Sequence, residues 1–326
     1  MIITRTPLRI SLGGGGTDLP SFYRNNGHGF LIAASITKYV YIAVNENFEN
    51  EILLKYSEVE RAKTVDDVKH PLLRECLRAA SISKRVEISS MADVPAGTGL
   101  GSSGSFAVGT LKALHLVSHR TPSATKLAEM ACDIEMNILG EPIGKQDQYI
   151  AAVGGITSFK FNDDESVEIQ RLELERDVRT QIEENLMLFY TGIRRSASEA
   201  LASESQPREQ GNLAVNNLSD TRAIGYETLE ILKSGDMDTF GQILTKQWEL
   251  KYQRQPSPLH DQVNEWIQAG IHAGALGGKL IGAGGGGFLL FYSDRKKELR
   301  EAMRECGLEE IGFGIDYEGS KVTVSR

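Results

Sequence analysis

The segment Val94-Pro95-Ala96-Gly97-Thr98-Gly99-Leu100-Gly101-Ser102-Ser103-Gly104 decides how this chain of 326 residues is interpreted. It follows a strand-like run at 86–89 and precedes a run with apolar residues at helical spacing. Glycines let the backbone approach a ligand, and the first turn of a helix offers unpaired N–H groups to an anion. The paired serines add hydroxyls that can bind phosphate or a hard cation. The segment therefore predicts a nucleotide phosphate loop, and hence a kinase.

The composition restricts the class of protein. With 40% hydrophobic and 25% charged residues, it is typical of globular proteins. The net charge of −8 argues against a general nucleic-acid binder. No apolar run approaches the roughly 18 residues of a membrane span, a signal-peptide layout is missing, and the three cysteines lie far apart. We expect a cytoplasmic protein that binds a small molecule, without nucleic-acid or membrane partners, and a homodimer remains open.

The order of elements predicts an α+β protein with a domain boundary near residue 180. In the first half, strands are expected at 2–12, 30–44 and 51–56, and helices at 104–118 and 123–139. The charged stretch 162–181 is interpreted as a solvated boundary, which divides the chain into domains 1–180 and 181–326. In the second half, helices are expected at 194–204, 211–234, 236–253, 259–273 and 294–306, with a glycine-rich hairpin at 277–293.

The glycine motifs also admit other interpretations. Gly99-x-Gly101-x-x-Gly104 satisfies the dinucleotide pattern, but that motif requires a βαβ unit, and here a second helical pattern follows the first. A second match at 282–287 precedes a strand-like run where the motif needs a helix. The Gly277-Gly278-Lys279-Leu280 run lacks the Ser or Thr of a Walker A loop. A dinucleotide oxidoreductase is therefore disfavoured, and plain flexible turns are the remaining alternative.

Three motifs together resemble the signatures of the GHMP kinases, the family of galactokinase, homoserine kinase, mevalonate kinase and phosphomevalonate kinase. Pro95-x-x-x-Gly99-Leu100-Gly101-Ser102-Ser103 resembles the second signature. Thr6-Pro7-Leu8-Arg9-Ile10-Ser11-Leu12-Gly13-Gly14-Gly15-Gly16-Thr17-Asp18 resembles the first, and Lys279-Leu280-Ile281-Gly282-Ala283-Gly284-Gly285-Gly286-Gly287-Phe288 the third. The resemblance spans nearly the whole chain. It implies the GHMP kinase fold, with a ribosomal-protein-S5-like N-terminal domain, a ferredoxin-like C-terminal domain, and ATP and substrate in the cleft between them.

The first motif resembles particular groups within this family. Its four glycines followed by Thr-Asp-Leu-Pro-Ser-Phe-Tyr are similar to D-glycero-D-manno-heptose 7-phosphate kinases and to the kinase part of bacterial fucokinases. Galactokinases carry Gly-Glu-His-Thr-Asp-Tyr there, and the Glu-His pair is missing here. The resemblance implies an ATP- and Mg²⁺-dependent kinase that converts heptose 7-phosphate to the 1,7-bisphosphate. The alternatives are another sugar 1-kinase of the L-fucokinase or galactokinase type, and a non-catalytic nucleotide- or sugar-binding regulator.

Asp147 and Arg9 are the predicted catalytic residues. Asp147 lies in the polar run Gly144-Lys145-Gln146-Asp147-Gln148, which is similar to the Gly-x-x-Asp-Gln run around the catalytic aspartate of galactokinases. Arg9, in a Pro-x-Arg run, resembles the arginine that accompanies this aspartate. An arginine beside a carboxylate favours its charged form and stabilises developing negative charge. Asp147 would orient or deprotonate the sugar hydroxyl, although a surface aspartate and a solvent-facing arginine are the ordinary alternatives.

Glu135 is the predicted metal-binding carboxylate. It lies at the edge of the buried stripe of its helix, where a carboxylate needs a partner because an unpaired buried charge is costly. A salt bridge is one explanation. The other is Mg²⁺ with Ser103 as second protein ligand, because the position seven residues before Pro142 resembles the metal-binding glutamate of the family. Two protein oxygens together with phosphates and water suit Mg²⁺.

The remaining predicted site residues fall on the glycine loops. The first loop should hold the sugar, because an aspartate accepts bonds from hydroxyls and glycines admit the ring. A distal phosphate on the substrate would be bound by Arg194 or Arg195. The predicted ATP-binding residues are Pro95, Gly97, Thr98, Gly99, Leu100, Gly101, Ser102, Ser103 and Gly104. The predicted substrate-binding residues are Gly14, Gly15, Gly16, Thr17, Asp18, Gly284, Gly285, Gly286 and Arg194.

Overall fold

Two β-sheets with helices packed against them build the protein, so that the α+β prediction is confirmed. The computed structural model describes residues 1–194, 211–254, 256–282 and 284–325. The helix expected at 194–204, apart from its first residue, and Arg195 lie outside these ranges. Within them, no helix is both long and apolar enough to cross a membrane.

The first sheet has eight strands in the order β12-β1-β2-β5-β3-β4, with β6 between β2 and β7. Only the β3–β5 pair is parallel within the described sheet, and the other pairs are antiparallel. The strands are β1 (Ile2–Gly13), β2 (His28–Glu46), β3 (Ile52–Lys55), β4 (Val59–Ala62), β5 (Val86–Ala92), β6 (Ile156–Asn162), β7 (Val167–Arg171) and β12 (Lys321–Ser325).

Strand β1 divides its side chains between the core and a cleft. Leu8, Ile10 and Leu12 are fully buried in the main hydrophobic core. Arg9 and Ser11 alternate with them, as side chains on a strand do, and line the cleft instead. The arginine is therefore directed into the molecule and not to bulk water.

The helices of the first half pack on this sheet. They are α1 (Pro20–Tyr23), a 3₁₀ turn (Val65–Asp67), α2 (Pro71–Ala79), α3 (Ser102–Val117), α4 (Ala124–Cys132), a π-helical turn (Asp133–Ile138), α5 (Gln146–Val153) and α6 (Arg176–Asn185). Helix α3 lies against β1 and β2 and is buried on most of its sides. The close approach of α3 to β1 requires a glycine at position 109, because a Cβ on Gly109 would lie 2.7 Å from Thr6 Oγ1.

The second sheet has the order β11-β8-β10-β9 and is antiparallel. Its elements are β8 (Leu186–Tyr190), β9 (Gly277–Leu280), β10 (Phe288–Tyr292), β11 (Glu309–Ile311), α7 (Gly211–Ser234), α8 (Met237–Arg254), α9 (Pro258–His272) and α10 (Lys296–Glu305). Met187 and Phe189 face a separate core that contains Trp248, whereas Leu186 and Leu188 face the main core. Both faces of this sheet are thus covered.

The charged stretch 162–181 is mostly exposed, as expected, but it also contains regular structure that the sequence did not predict. The stretch contains strand β7 and the beginning of helix α6. Exposed charges alternate with a few buried apolar residues, which are Leu172 and Leu174 in the connection between the two elements and Val178 on α6. Strand β12 returns to pair with β1, so that the last strand completes the first sheet. The division of the chain at residue 180 stays a prediction.

Candidate active site

A cleft of about 1080 Å³ runs between the two halves of the molecule. Its walls come from β1, the segment before α3, the first turn of α5, helix α8 and the hairpin between β9 and β10. The predicted site residues that line it are Arg9, Gly15, Gly16, Asp18, Gly97, Gly99, Gly101, Ser102, Ser103, Gly104, Glu135, Asp147, Arg194, Gly285 and Gly286.

The predicted phosphate loop leads into an uncapped helix end. Helix α3 begins at Ser102, and Gly101 before it has φ 75° and makes no side-chain cap. The first-turn N–H groups have no partner within a helix, and the helix dipole adds positive charge at this end. Thr98 and Pro95 bond to each other instead of lining the cleft, since Thr98 Oγ1 donates to the Pro95 carbonyl at 3.0 Å, and Leu100 is fully buried. These last residues shape the loop.

Arg9 joins the loop to Asp147. Its Nε donates to Asp147 Oδ1 at 2.7 Å, its Nη1 donates to the Gly99 carbonyl, and its backbone N–H donates to the Leu100 carbonyl at 3.0 Å. Only 4% of Arg9 is exposed, while Asp147 lies in the first turn of α5 and keeps a quarter of its side chain exposed. A Cβ on Gly101 would lie 3.0 Å from Arg9 Cγ and 3.2 Å from Asp147 Cγ. The structure thus brings the two predicted catalytic residues together against the loop.

Glu135 lies on the π-helical turn and is buried beside the start of α3. Its Oε1 accepts a bond from Ser103 Oγ, and its Oε2 accepts one from Gln148 Nε2 at 2.7 Å. Burial raises the pKa of the carboxyl to about 7, although these two donors oppose the shift, and the negative charge of Asp147 adds to it. The two predicted metal ligands are therefore in contact, in surroundings where an added cation would stabilise the ionised carboxylate.

The first glycine loop divides into residues on the cleft and residues behind it. Gly15, Gly16 and Asp18 line the cleft, whereas Gly14 and Thr17 do not. Thr17 is fully buried, and its hydroxyl donates to the carbonyls of Gly14 and Phe30 at 2.9 Å each. The threonine therefore holds the loop to β2.

Asp18 connects this loop to the helix that carries Asp147. Its Oδ1 accepts from the N–H of Gly16 at 3.2 Å, and its Oδ2 accepts from the N–H of Gln146 at 3.1 Å. Burial raises the pKa of the Asp18 carboxyl, against these hydrogen bonds, and the neighbouring Asp147 charge contributes to the rise. Asp18 thus anchors the start of α5 as well as facing the cleft.

The third glycine loop meets the phosphate loop backbone to backbone. A Cβ on Gly282 would lie only 2.6 Å from Gly99 Cα. Gly285 and Gly286 line the cleft, whereas the Gly284 carbonyl pairs with His260 Nε2 at 2.9 Å.

Arg194 is exposed and lines the cleft, and its Nε donates to Tyr190 Oη at 2.9 Å. It is the one residue predicted for a distal phosphate that falls within the described ranges.

Lys279 is a cleft residue that the sequence did not predict as part of the site. Its side chain is buried, and its Nζ donates to Gln247 Oε1 at 2.9 Å. Burial lowers the pKa of this amine to about 7, and the positive charges of Lys251 and Arg9 lower it further. Gln247, Lys251 and Arg254 are spaced by four and three residues on α8, a pattern that could have indicated a shared helix face.

An aromatic group in the lining of the cleft was missed as well. The His70 ring lies between Tyr56 and Phe106, with centroid distances of 4.8 Å and 5.6 Å. Met91 also lines the cleft and is 68% exposed. These residues come from separate elements, so no local pattern in the sequence connects them.

Two family models match the chain, one in each half. The model described as GHMP kinases N terminal domain matches residues 67–155, and the one described as GHMP kinases C terminal matches residues 228–308. The chain belongs to the GHMP kinase family. This GHMP kinase is thus a phosphotransferase with an alcohol group as acceptor, in a family that uses ATP as phosphate donor.

Relatives match this GHMP kinase over nearly its full length. The D-glycero-alpha-D-manno-heptose 7-phosphate kinase of Campylobacter jejuni is 28% identical, and the match covers 98% of this chain and 97% of the relative. A galactokinase of Pyrococcus furiosus is 22% identical, with 97% and 96% covered. A crystal structure described as a D-glycero-D-manno-heptose 1-phosphate kinase from Bacteroides thetaiotaomicron superposes with a TM-score of 0.83, at 24% identity and with 100% of both chains covered. The GHMP kinase fold is confirmed.

Proposed function

We propose that this GHMP kinase transfers the γ-phosphoryl group of ATP to the anomeric hydroxyl of a sugar. The observation that carries the proposal is the Arg9–Asp147 pair, which is pressed against the glycine loop at the uncapped start of α3. A triphosphate held by first-turn N–H groups would have its terminal phosphoryl group beside this pair. The sugar hydroxyl would meet Asp147 from the side of the first glycine loop.

Each residue of the pair has a distinct role in the proposal. Asp147 orients the sugar hydroxyl, as the acceptor of its proton or as a hydrogen-bond acceptor only, while the hydroxyl oxygen attacks the γ-phosphorus. Arg9 keeps the Asp147 carboxylate in place and supplies positive charge where negative charge develops on the migrating group. Asp18 holds the start of α5, and therefore Asp147, in place by accepting a hydrogen bond from the N–H of Gln146.

We further propose that Mg²⁺ binds with the nucleotide at Ser103 and Glu135. The contact between these side chains and the raised pKa of the Glu135 carboxyl fit a cation site. Two protein oxygens, together with phosphate oxygens and water, would complete the coordination of such an ion. When bound, Mg²⁺ neutralises charge on the triphosphate.

We propose D-glycero-D-manno-heptose 7-phosphate as the sugar, with the 1,7-bisphosphate as product. The Campylobacter relative and the four-glycine form of the first motif support this substrate. The reaction would take place in the cytoplasm, on a route to nucleotide-activated heptose. We also propose that the adenine ring binds beside Tyr56, Met91 and Phe106, where the cleft is apolar and aromatic.

A substrate screen tests the proposed function. Purified protein is incubated with ATP, Mg²⁺ and one of four sugars: heptose 7-phosphate, free heptose, L-fucose or galactose. Phosphorus NMR should detect an anomeric phosphate with heptose 7-phosphate, and Asp147→Asn should slow its appearance at least about 100-fold. Efficient use of fucose or galactose alone would overturn the substrate but not the sugar kinase. ATP binding without consumption, on any of these sugars, would indicate a non-catalytic regulator instead.

A further inference from the structure

Lys145 carries a positive charge at the end of helix α5 where a negative charge is favoured. It has helical backbone angles and stands immediately before Gln146, where α5 begins. The helix dipole opposes a cation at this end. Only 9% of the lysine side chain is exposed, and a buried charge is costly unless it is paired. A lysine at this position therefore needs an anionic partner.

The partner is Glu165, in the turn between β6 and β7. Lys145 Nζ donates to Glu165 Oε2 at 2.7 Å and to the Glu165 carbonyl at 3.1 Å. Tyr23, which is fully buried in the main core, donates from its hydroxyl to the same Oε2 at 2.7 Å. Burial opposes ionisation of Glu165, but hydrogen bonds from Arg24, Lys145 and Tyr23 prevail and lower the pKa of its carboxyl to about 2. The carboxylate is thus charged, and Tyr23 connects it to the core.

The backbone of Glu165 indicates that its side chain has a purpose. Its φ of +71° lies in the left-handed region, where glycine is at ease and a residue with a Cβ is strained. Its N–H donates to the Asn162 carbonyl at 3.1 Å and closes a tight turn. A glycine would form this turn without strain. The glutamate is therefore explained by the contacts of its side chain and not by the needs of the turn.

The start of α5 is held differently on its two sides. Asp147 faces the cleft and packs closely on α3, since a Cβ on Gly104 would lie 2.9 Å from Asp147 Cβ. Lys145 and Tyr149 face away from the cleft, towards a hollow of about 230 Å³. Close packing is incomplete on that side. The ion pair between Lys145 and Glu165 therefore supplies a restraint that packing does not.

We propose that Glu165 is a positioning residue, which holds the first turn of α5 through Lys145 and so keeps the Asp147 carboxylate beside Arg9. The inference rests on the proposed role of Asp147 in phosphoryl transfer. Neither Lys145 nor Glu165 is among the described residues that line the cleft, so their effect reaches the substrate through Asp147. Without the pair the turn can shift towards the hollow, and a misplacement of about 1 Å can slow a reaction by about 100-fold.

Hydrogen exchange followed by mass spectrometry tests the restraint in the ligand-free protein. Glu165→Gly removes the carboxylate and the strained backbone together, so the variant should fold. The helical bonds of residues 149–151 reach back to the carbonyls of residues 145–147. The amides of 149–151 should exchange at least about tenfold faster in Glu165→Gly, as expected for the loss of a charge-assisted hydrogen bond.

Turnover with heptose 7-phosphate, at a temperature where every variant is folded, tests the consequence. Glu165→Gly should lower kcat by about 10- to 100-fold and leave the KM for ATP unchanged. Lys145→Met should have the same effect, and the double variant should lose no more than either single one, because the two side chains act as a unit. Arg85→Gly is the matched control, since Arg85 also has a positive φ, of 57°, and pairs with Glu46 at 3.2 Å on the surface. It should keep the exchange at 149–151 and the kcat of the wild type.

Unchanged exchange at 149–151 in Glu165→Gly would overturn the proposal. Faster exchange with a normal kcat would do so as well, provided that Asp147→Asn is slowed as expected, and so would additive losses in the double variant. Failure of the proposed function has a different signature. Full turnover by Asp147→Asn, or no turnover by the wild type on any sugar, would refute the reaction assigned to Asp147. The exchange rates would still decide whether Glu165 holds the start of α5.

Discussion

Replacement of Lys279 by methionine should change how the stability of the protein depends on pH. The lysine is buried, donates to Gln247, and has a pKa lowered to about 7 by burial and by Lys251 and Arg9. Methionine has a similar length and cannot titrate. Gln247 keeps its second bond, from Nε2 to the Leu12 carbonyl at 2.9 Å, so the variant should fold.

The sign and size of the effect follow from proton linkage. In the unfolded chain the lysine has its ordinary pKa of 10.5, so between about pH 7 and about pH 10.5 the unfolded state binds more protons than the folded state. The free energy of unfolding therefore rises with pH in this window, by at most about 1.4 kcal/mol per pH unit. Between about pH 7.5 and about pH 9 the titration of Lys279 should raise the free energy of unfolding of the wild type by about 2 kcal/mol. The variant Lys279→Met lacks this contribution.

Urea denaturation followed by circular dichroism, at several pH values in this interval, measures the difference between wild type and variant. Taking the difference cancels groups that titrate in both proteins. Lys246→Met removes an exposed lysine and controls for the change in net charge. A difference between wild type and Lys279→Met that stays constant across the interval would refute the argument that burial depresses the amine.

Three further predictions concern the proposed site. Asp147→Asn should lower kcat by about 100- to 10 000-fold in a coupled ATP-consumption assay, with the KM for ATP little changed, because it removes the group that faces the sugar hydroxyl. Glu135→Gln should raise the magnesium concentration needed for half-maximal activity by about tenfold. Its Tm at pH 8 without magnesium should not fall, since the buried charge is removed. Gly101→Ala should lose activity at least about tenfold, because its Cβ would displace Arg9, in addition to about 1–2 kcal/mol of left-handed backbone strain.

Each of these variants has a contrasting result. Normal turnover of Asp147→Asn at saturating substrate would exclude the aspartate from the reaction. An unchanged magnesium requirement of Glu135→Gln would exclude Glu135 as a magnesium ligand. Gly307→Ala is the control for Gly101, because Gly307 has φ +78° with open space around it. It should be destabilised by backbone strain but remain fully active. Equal activity of both alanine variants would show that the position beside Arg9 has no special importance.

Local patterns predicted most of the fold. The helices at 211–234, 236–253 and 259–273 and the hairpin around the third glycine loop are observed within a residue or two of expectation, because apolar spacing and glycine positions are local properties. Strand β7 and helix α6 were missed because their few apolar residues lie among many charged ones, so that no clear apolar spacing is visible in the sequence. Helix α5 was also missed, since it is short and begins at a buried contact with Asp18.

In the candidate site, too, local patterns in the sequence did not reveal contacts between distant segments. The juxtaposition of Arg9, Gly101 and Asp147 was expected only from the family resemblance, because these residues are far apart along the chain. Thr17 belongs to a recognisable motif, yet its hydroxyl is used inside the loop, and only tertiary structure reveals the carbonyl of Phe30 as its acceptor. Arg254 could not be identified as a neighbour of Gly16 from either segment alone.

The contact between Gly99 and Gly282 constrains how this enzyme could be recombined with others. Neither glycine can gain a side chain alone, because a Cβ on one would lie within 3 Å of backbone atoms of the other's segment. A chimera that takes its second half from another kinase would bring together two loops whose backbones are not complementary. The mismatch would lie where the nucleotide is expected to bind. Recombination between kinases should therefore take residues 97–101 and 281–287 from one parent.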